Sequence, residues 1–330
     1  MDKKRVVIFG SAGIFCIAAA LLSIMIGSAN LSIAELFDAI IKGPSDTAGW
    51  IFWYVRLPRT AACILSGAAL AVSGAIIQNV LSNQLASPSV IGVNAGAGFA
   101  VTCCCAFGVI SGWAISAASF LGAFITVLVV VIVSRNVGAS RSTVILGGVA
   151  MNSFLNALTQ AIISLDLDAG MLSMDFKVGG FSSIVYTRLI PAGILILIGI
   201  AVVMTLCNEL DVLSLGENTA QSLGLSVKVY RVIFLIIAAL LAGASVSFAG
   251  LLSFVGLIVP HMARKFVGSE SRYVLPLSAI LGAGLVTMSD FVGRVIFSPY
   301  ELQVGILMAI MGGPFFIFIL LKRKGEKSND

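Results

Sequence analysis

Charge is what this chain has least of. Of 330 residues only 11% are Asp, Glu, Lys or Arg, while 59% are hydrophobic and the mean hydropathy is +1.08. No soluble fold of this length keeps so few charges, so a water-soluble enzyme or binding domain is excluded. Histidine is almost absent too. His261 stands alone, with no HExxH and no second His, which excludes a histidine-based metal centre and leaves a proton relay or a helix-end polar contact. The six cysteines, Cys16, Cys63, Cys103, Cys104, Cys105 and Cys207, lie in or beside apolar runs without zinc-type spacing and read as small apolar fillers. No G-x-x-x-x-G-K-[ST] occurs, so ATP has no phosphate loop here. Gly92, Gly96 and Gly98 follow no strand and precede no Lys-Ser/Thr, which makes them helix-packing residues. Asp166 and Asp168 lack further ligands and read as a solvated loop. No nucleophile–base pair stands out. The expectation is a chain with no enzyme activity, no resident metal and no cofactor.

What the chain does have is long apolar runs. They fall near 7–27, 60–80, 91–111, 114–134, 143–164, 189–207, 230–249, 252–267, 274–296 and 303–321, each approaching or exceeding the length that crosses about 30 Å of hydrocarbon. The fold class expected is therefore an all-α polytopic membrane protein with about ten spans, residues 1–330 forming one transmembrane domain. The first run follows Lys3, Lys4 and Arg5 and could pass for a signal peptide, but it lacks a clear small-residue cleavage site and reads as a retained span. With the N-terminus inside, only Lys42, Arg56, Arg59, Lys177, Arg188 and Arg294 of the 20 basic residues fall outside. The positive-inside rule thus places both termini in the cytoplasm, and the net charge of +5 is a topology signal with no bearing on nucleic acid.

The longest informative break is Asp211–Arg231, DVLSLGENTAQSLGLSVKVYR. Ser214 and Glu217 have capping-box spacing, Gly224 supplies a C-terminal stop, and Ser226 can cap the next helix. A helix this short needs a docking partner to be stable. It is either an ordinary loop or a rigid knob offered to a soluble protein.

On the opposite side Arg56-Leu57-Pro58-Arg59 breaks the positive-inside trend. Either the arginines snorkel at the interface or they stand as fixed cations for an external acidic partner. Upstream, Leu31, Ile33, Leu36 and Phe37 are spaced like a surface-lying amphipathic helix. Asp290 and Arg294, at i,i+4, can pair on one helix face. The inner turn at 82–88 has no charge and is expected to fold back on protein. Gly67, Gly74 and Gly92 recur as Gly243, Gly250 and Gly268 at an offset of 176, the mark of an inverted repeat. Gly312, Gly313 and Pro314 make the last run a candidate bent, pathway-lining helix.

Several stretches together resemble the FecCD family of ABC-importer permeases for iron–siderophores, haem and cobalamin. They are RLPR at 56–59, SGAALAVSGAIIQ with NQLASPSVIG at 66–92, LSLGENTAQSLGL at 213–225, GLLSFVGLIVPHMAR at 250–264 and ELQVGILMAIMGGPFFIFIL at 301–320. Gln84 and Gln303 depart from the family, which usually has proline at both places. The resemblance implies the type II importer permease fold, a partner permease (a second copy or a related chain), two separate ATPase subunits, an extracytoplasmic binding protein, and a multi-pass place in the bacterial cell (inner) membrane. It makes the 211–228 segment the ATPase-coupling element, carried by Ser214, Leu215, Gly216, Glu217, Ala220, Leu223 and Gly224. It also makes Arg56, Arg59 and, by position, Arg294 the receivers of binding-protein glutamates. Candidate pathway or gate positions are Asn83, Leu85, Ser142, Thr143, Gly312, Gly313 and Pro314. Ferric siderophore is the leading cargo, with haem or cobalamin as alternatives. An ion-coupled secondary transporter is the rival class; it needs an acid at membrane depth, and only Asp290 offers one.

Overall fold

The computed structural model describes residues 3–27, 33–136, 140–296, 298 and 300–327. In chain order the helices are α1 (Lys3–Met25), α2 (Ile33–Lys42), α3 (Thr47–Trp50), α4 (Leu57–Val80), α5 (Val93–Ala106), α6 (Gly112–Asn136), α7 (Arg141–Leu165), α8 (Leu167–Leu172) and α9 (Met174–Val178). They continue as α10 (Tyr186–Thr205), α11 (Cys207–Ser214), α12 (Glu217–Ser222), α13 (Val227–Ala249), α14 (Val255–Val267), α15 (Ser271–Ile296) and α16 (Val304–Lys327). A π-helical turn, Ile51–Arg56, splices α3 to α4. The expected amphipathic segment does form α2, but Leu31 and the side chains of Ile33, Leu36 and Phe37 lie outside the described residues, as do the side chains of the basic tail at 322–327.

Each of the ten apolar runs contains a helix. Among the described residues seven are long and apolar enough to cross a membrane. The other three runs hold α5, of 14 residues, α14, of 13, and α16, whose described apolar stretch is Val304–Ile317. Two of these are short for local backbone reasons. Gly92, at φ +99°, starts α5 after a 3₁₀ turn, and Phe254, at φ +66°, starts α14. Neither conformation continues a right-handed helix.

The core is built on α4. Its apolar window is 78% buried, against 72% for α13 and 61% for α15. Small residues make that possible: a methyl at Gly67 would overlap the Gly282 carbonyl of α15, and one at Gly74 would overlap the Gly256 carbonyl of α14. Hydroxyls fasten α4 to α13, with Ser66 Oγ 2.6 Å from Ser245 Oγ and Ser73 Oγ donating to Ala238 O at 2.7 Å. α1 and α7 lie at the periphery, each with only 17% of its window buried. Of the three glycine pairs at offset 176, only Gly92 and Gly268 share a left-handed φ.

Candidate functional site

α4 has 24 residues and so spans about 36 Å at 1.5 Å per residue. A charged network sits at each end.

At its N-terminal end Arg59 grips Asp290, with Nη2 2.9 Å from Oδ1 and Nε 3.1 Å from both carboxylate oxygens, while Nη1 donates to Glu301 at 2.9 Å. Arg294 approaches the same carboxylate, Nε to Oδ2 at 3.0 Å, as its i,i+4 spacing predicts. Arg294 Nη2 also donates to Ser23 Oγ at 2.8 Å. Arg56 Nη1 donates to the carbonyls of Ile24 and Met25 at 2.7 and 2.8 Å, covering the C-terminus of α1, where a cation is favoured. All three arginines thus have acceptors within the chain. Arg56 and Arg294 are buried, and Arg59 keeps 11% of its side chain exposed, next to Glu301 at 30%. Desolvated arginines need paired acceptors, and these neighbours supply them, although Arg294 Nε meets Asp290 as an ion pair without a hydrogen bond. Asp290, buried between two guanidinium groups, is an ion-pair partner, and the rival secondary transporter loses its candidate acid.

At the other end lies the 211–228 segment. Leu210, Leu213 and Ala220 point inward and are fully buried, whereas Leu215 and Leu223 stand out at 61% and 62% exposure. The capping box is corrected: α11 runs through Ser214, whose Oγ donates to Asp211 O, so Gly216 becomes the N-cap of α12 and Glu217 pairs with Arg231 at 3.0 Å. Gly224 does stop α12. At φ +84° its N–H donates to Gln221 O and that of Leu225 to Ala220 O, a Schellman motif. Ser226 is the N-cap of α13 by position, without a side-chain bond. Three anchors hold the segment: Arg141 Nη2 donates to Leu213 O at 2.9 Å, Ser82 Oγ to Ser214 O at 3.3 Å, and the Asp211 carboxylate accepts from Ser271 N at 2.9 Å. From Ser271 the polar chain continues into the bundle. Asn79 Nδ2 donates to Ser271 Oγ at 3.0 Å, and Arg264 donates to Asn79 Oδ1 at 3.1 Å and to Gln78 Oε1.

The candidate gate positions separate into two places. Asn83 Oδ1 accepts from Leu85 N at 3.0 Å, closing a tight turn whose Ala86 and Pro88 are buried, so the 82–88 turn folds back on protein as expected. Ser142 and Thr143 occupy the first turn of α7, where Thr143 N donates to the N-cap Ser140 at 3.1 Å. Both groups border the coupling segment through Ser82 and Arg141. Gly312, Gly313 and Pro314 lie elsewhere, on α16, which continues through all three from Val304 to Lys327 with Pro314 inside the helix. Pro314 is exposed, and Gly312 packs on the Phe254 ring. His261 lies edge-on to Phe315, ring centroids 6.2 Å apart.

Sequence reasoning missed Glu301, Arg141 and the Asp211–Ser271 cap, because each acts on a helix distant in sequence. It also missed Asn152, Asn156 and Gln160 of α7, which face a cavity of about 510 Å³ shared with α5. Their i, i+4, i+8 spacing was visible.

A helical bundle around a central glycine-packed helix, with seven helices among the described residues long and apolar enough to cross a membrane, is the architecture of a polytopic membrane protein. The sequence model of the FecCD transport family matches residues 15–322, and the chain belongs to that family. It is 35% identical to the Fe(3+)-citrate import system permease protein YfmD of Bacillus subtilis over 98% of this chain and 97% of that one. It is 34% identical to the iron(3+)-hydroxamate import system permease protein FhuB of the same organism, over 97% and 84%. With the "Probable heme-iron transport system permease protein IsdF" of Staphylococcus aureus it shares 32% identity over 99% of both. Among solved structures it superimposes on an inward-facing metal-chelate type ABC transporter with a TM-score of 0.84 and 26% identity, covering 96% of this chain and 99% of that one. PsaBC of Streptococcus pneumoniae, at a TM-score of 0.60 and 18% identity, shares the fold.

Proposed function

We propose that residues 1–330 form one permease domain of an importer for ferric siderophores in a bacterial cell (inner) membrane, working as a pair with a second copy or a related chain. Haem is the second reading, favoured by the likeness to IsdF. ATP hydrolysis belongs to two separate ATPase subunits. The observation that carries this reading is the knob: two exposed leucines on a segment pinned by Glu217–Arg231, Arg141 and Asp211. An apolar tip on a rigid base suits a docking surface that must transmit displacement. The knob also borders Asn83, Leu85, Ser142 and Thr143, so its movement reaches the inner gate directly.

At the outer end, Arg59 is the docking cation. A glutamate of the binding protein displaces Glu301, while Arg56 and Arg294 hold the local field positive, three cations standing against two carboxylates. The test is uptake of radiolabelled ferric siderophore in cells with and without the gene, under ATP depletion and, separately, under an uncoupler. Import that stops on ATP depletion supports the reading. Import that survives ATP depletion and collapses with the uncoupler sinks it in favour of a secondary transporter.

A further inference from the structure

Among the seven long helices α7 has the lowest mean hydropathy, 1.2, yet it is one of the two least buried. Part of its surface is ordinary for lipid contact: Leu146, Val149, Phe154 and Leu158 point outward. Another face is not. Asn152, Asn156 and Gln160 recur every four residues and stack three carboxamides along one line. With Asn94 of α5 and Lys177 of α9 they line the cavity of about 510 Å³, within the range of small-molecule sites. Asn152 Nδ2 donates to Ser89 O at 2.8 Å, which fixes that amide, while Asn156 and Gln160 stand exposed. Facing hydrocarbon, each amide would cost roughly 2–7 kcal/mol. The stripe therefore faces water, a polar ligand or polar groups of the partner permease.

We propose that this cavity is a transit subsite for an oxygen-rich ferric chelate of net negative charge, with Lys177 meeting its charge at the outer rim and the carboxamides replacing its hydration. The inference rests on the import reading above. Lys177 is the one charged residue among the described lining residues, and no carboxylate opposes it there. Partial burial lowers its pKa, as expected of an ammonium drawn out of water. The described lining also holds no His, Cys, Met or Tyr, the side chains that take haem iron axially. Neutral amides leave the iron with its own chelator. A single cation attracts the complex without the cluster of charges that would retain it.

The test uses cells lacking the gene, complemented with the full-length chain at equal membrane levels. Probes are radiolabelled ferric citrate, a ferric tricatecholate, a neutral ferric trihydroxamate, haem and cobalamin. Wild type is expected to restore uptake of the citrate or tricatecholate chelate. Lys177→Met and the Asn156→Leu/Gln160→Leu pair should each lower that uptake roughly tenfold, the equivalent of about 1.4 kcal/mol. Lys177→Arg and the amide-preserving Asn156→Gln/Gln160→Asn pair should retain it. Uptake restored only for the neutral chelate, haem or cobalamin overturns the subsite and leaves import standing, as does a Leu pair that transports like wild type. If wild type restores uptake of none of the five, the import reading itself fails.

Discussion

Arg59 and Asp290 stand 231 positions apart in the chain and meet in a bidentate contact at 2.9 to 3.1 Å, closed against solvent on the Asp290 side. The pair fastens α4 to α15 at the end where binding-protein docking is proposed. Glu301, on the same guanidinium but half-exposed, is the replaceable partner.

Removing the buried partner should therefore cost far more than removing the exposed one. Asp290→Asn is expected to destabilise the protein by about 3–5 kcal/mol, because it removes the buried countercharge of two arginines, leaving Arg59 with Glu301 and Arg294 with Ser23 alone. Glu301→Gln should cost under about 1 kcal/mol. Denaturant unfolding in detergent micelles compares the two, and equal effects would contradict the division of roles.

Charging the tip of the knob tests coupling without touching the bundle. Leu215→Glu is expected to change stability by less than about 0.5 kcal/mol, as for other exposed sites. It should nevertheless abolish co-purification of the ATPase subunits. Retained ATPase at wild-type stoichiometry would move the docking surface elsewhere.

The central glycine contact predicts a contrast between two glycines. Gly67→Leu must push α15 from α4 and is expected to destabilise by about 1–3 kcal/mol or more. Gly10→Ala in α1, where nothing lies within 4 Å, should be neutral or stabilise by up to about 1 kcal/mol through helix propensity. Thermal unfolding of both variants in one detergent decides it.

Between α14 and α15, Glu270 bonds Arg272 at 2.7 Å and Arg5 of α1 at 3.3 Å, and these cations hold its carboxyl below the ordinary range. A depressed folded-state pKa stabilises above the unfolded value of about 4.3 and is lost as pH falls through the lowered one. Wild type and Glu270→Gln should differ in unfolding temperature at neutral pH and converge in acid. A gap that persists in acid would assign the effect to something other than titration.

What could be read from the sequence is what is local. Apolar runs give helices, Asp290 and Arg294 pair because four residues separate them on one helix, and Gly224 stops α12 because the backbone there is left-handed. Ser214 shows the limit. Its spacing to Glu217 satisfies the capping pattern, but tertiary packing extended α11 through it and gave Glu217 to Arg231. Nothing near Arg59 in sequence identifies Glu301, since that pairing exists only once the connection between α15 and α16 is brought to the end of α4. The stripe on α7 is legible by its spacing of four, but it is masked by the apolar residues that surround it on the same helix.

The unequal burial of the helices divides the molecule mechanically. α4 is locked to α15 and α14 by carbonyl-to-glycine contacts, to α13 by hydroxyls and at one end by ions, so it can neither slide nor rotate without breaking several contacts at once. α7, less buried and tied to the knob through Arg141 and Leu213, is held on its amide-bearing face by the Asn152–Ser89 bond, while Asn156 and Gln160 stand exposed. The bundle is in effect a stator with lightly mounted parts at its edge, and of these α7 carries a tie to the knob.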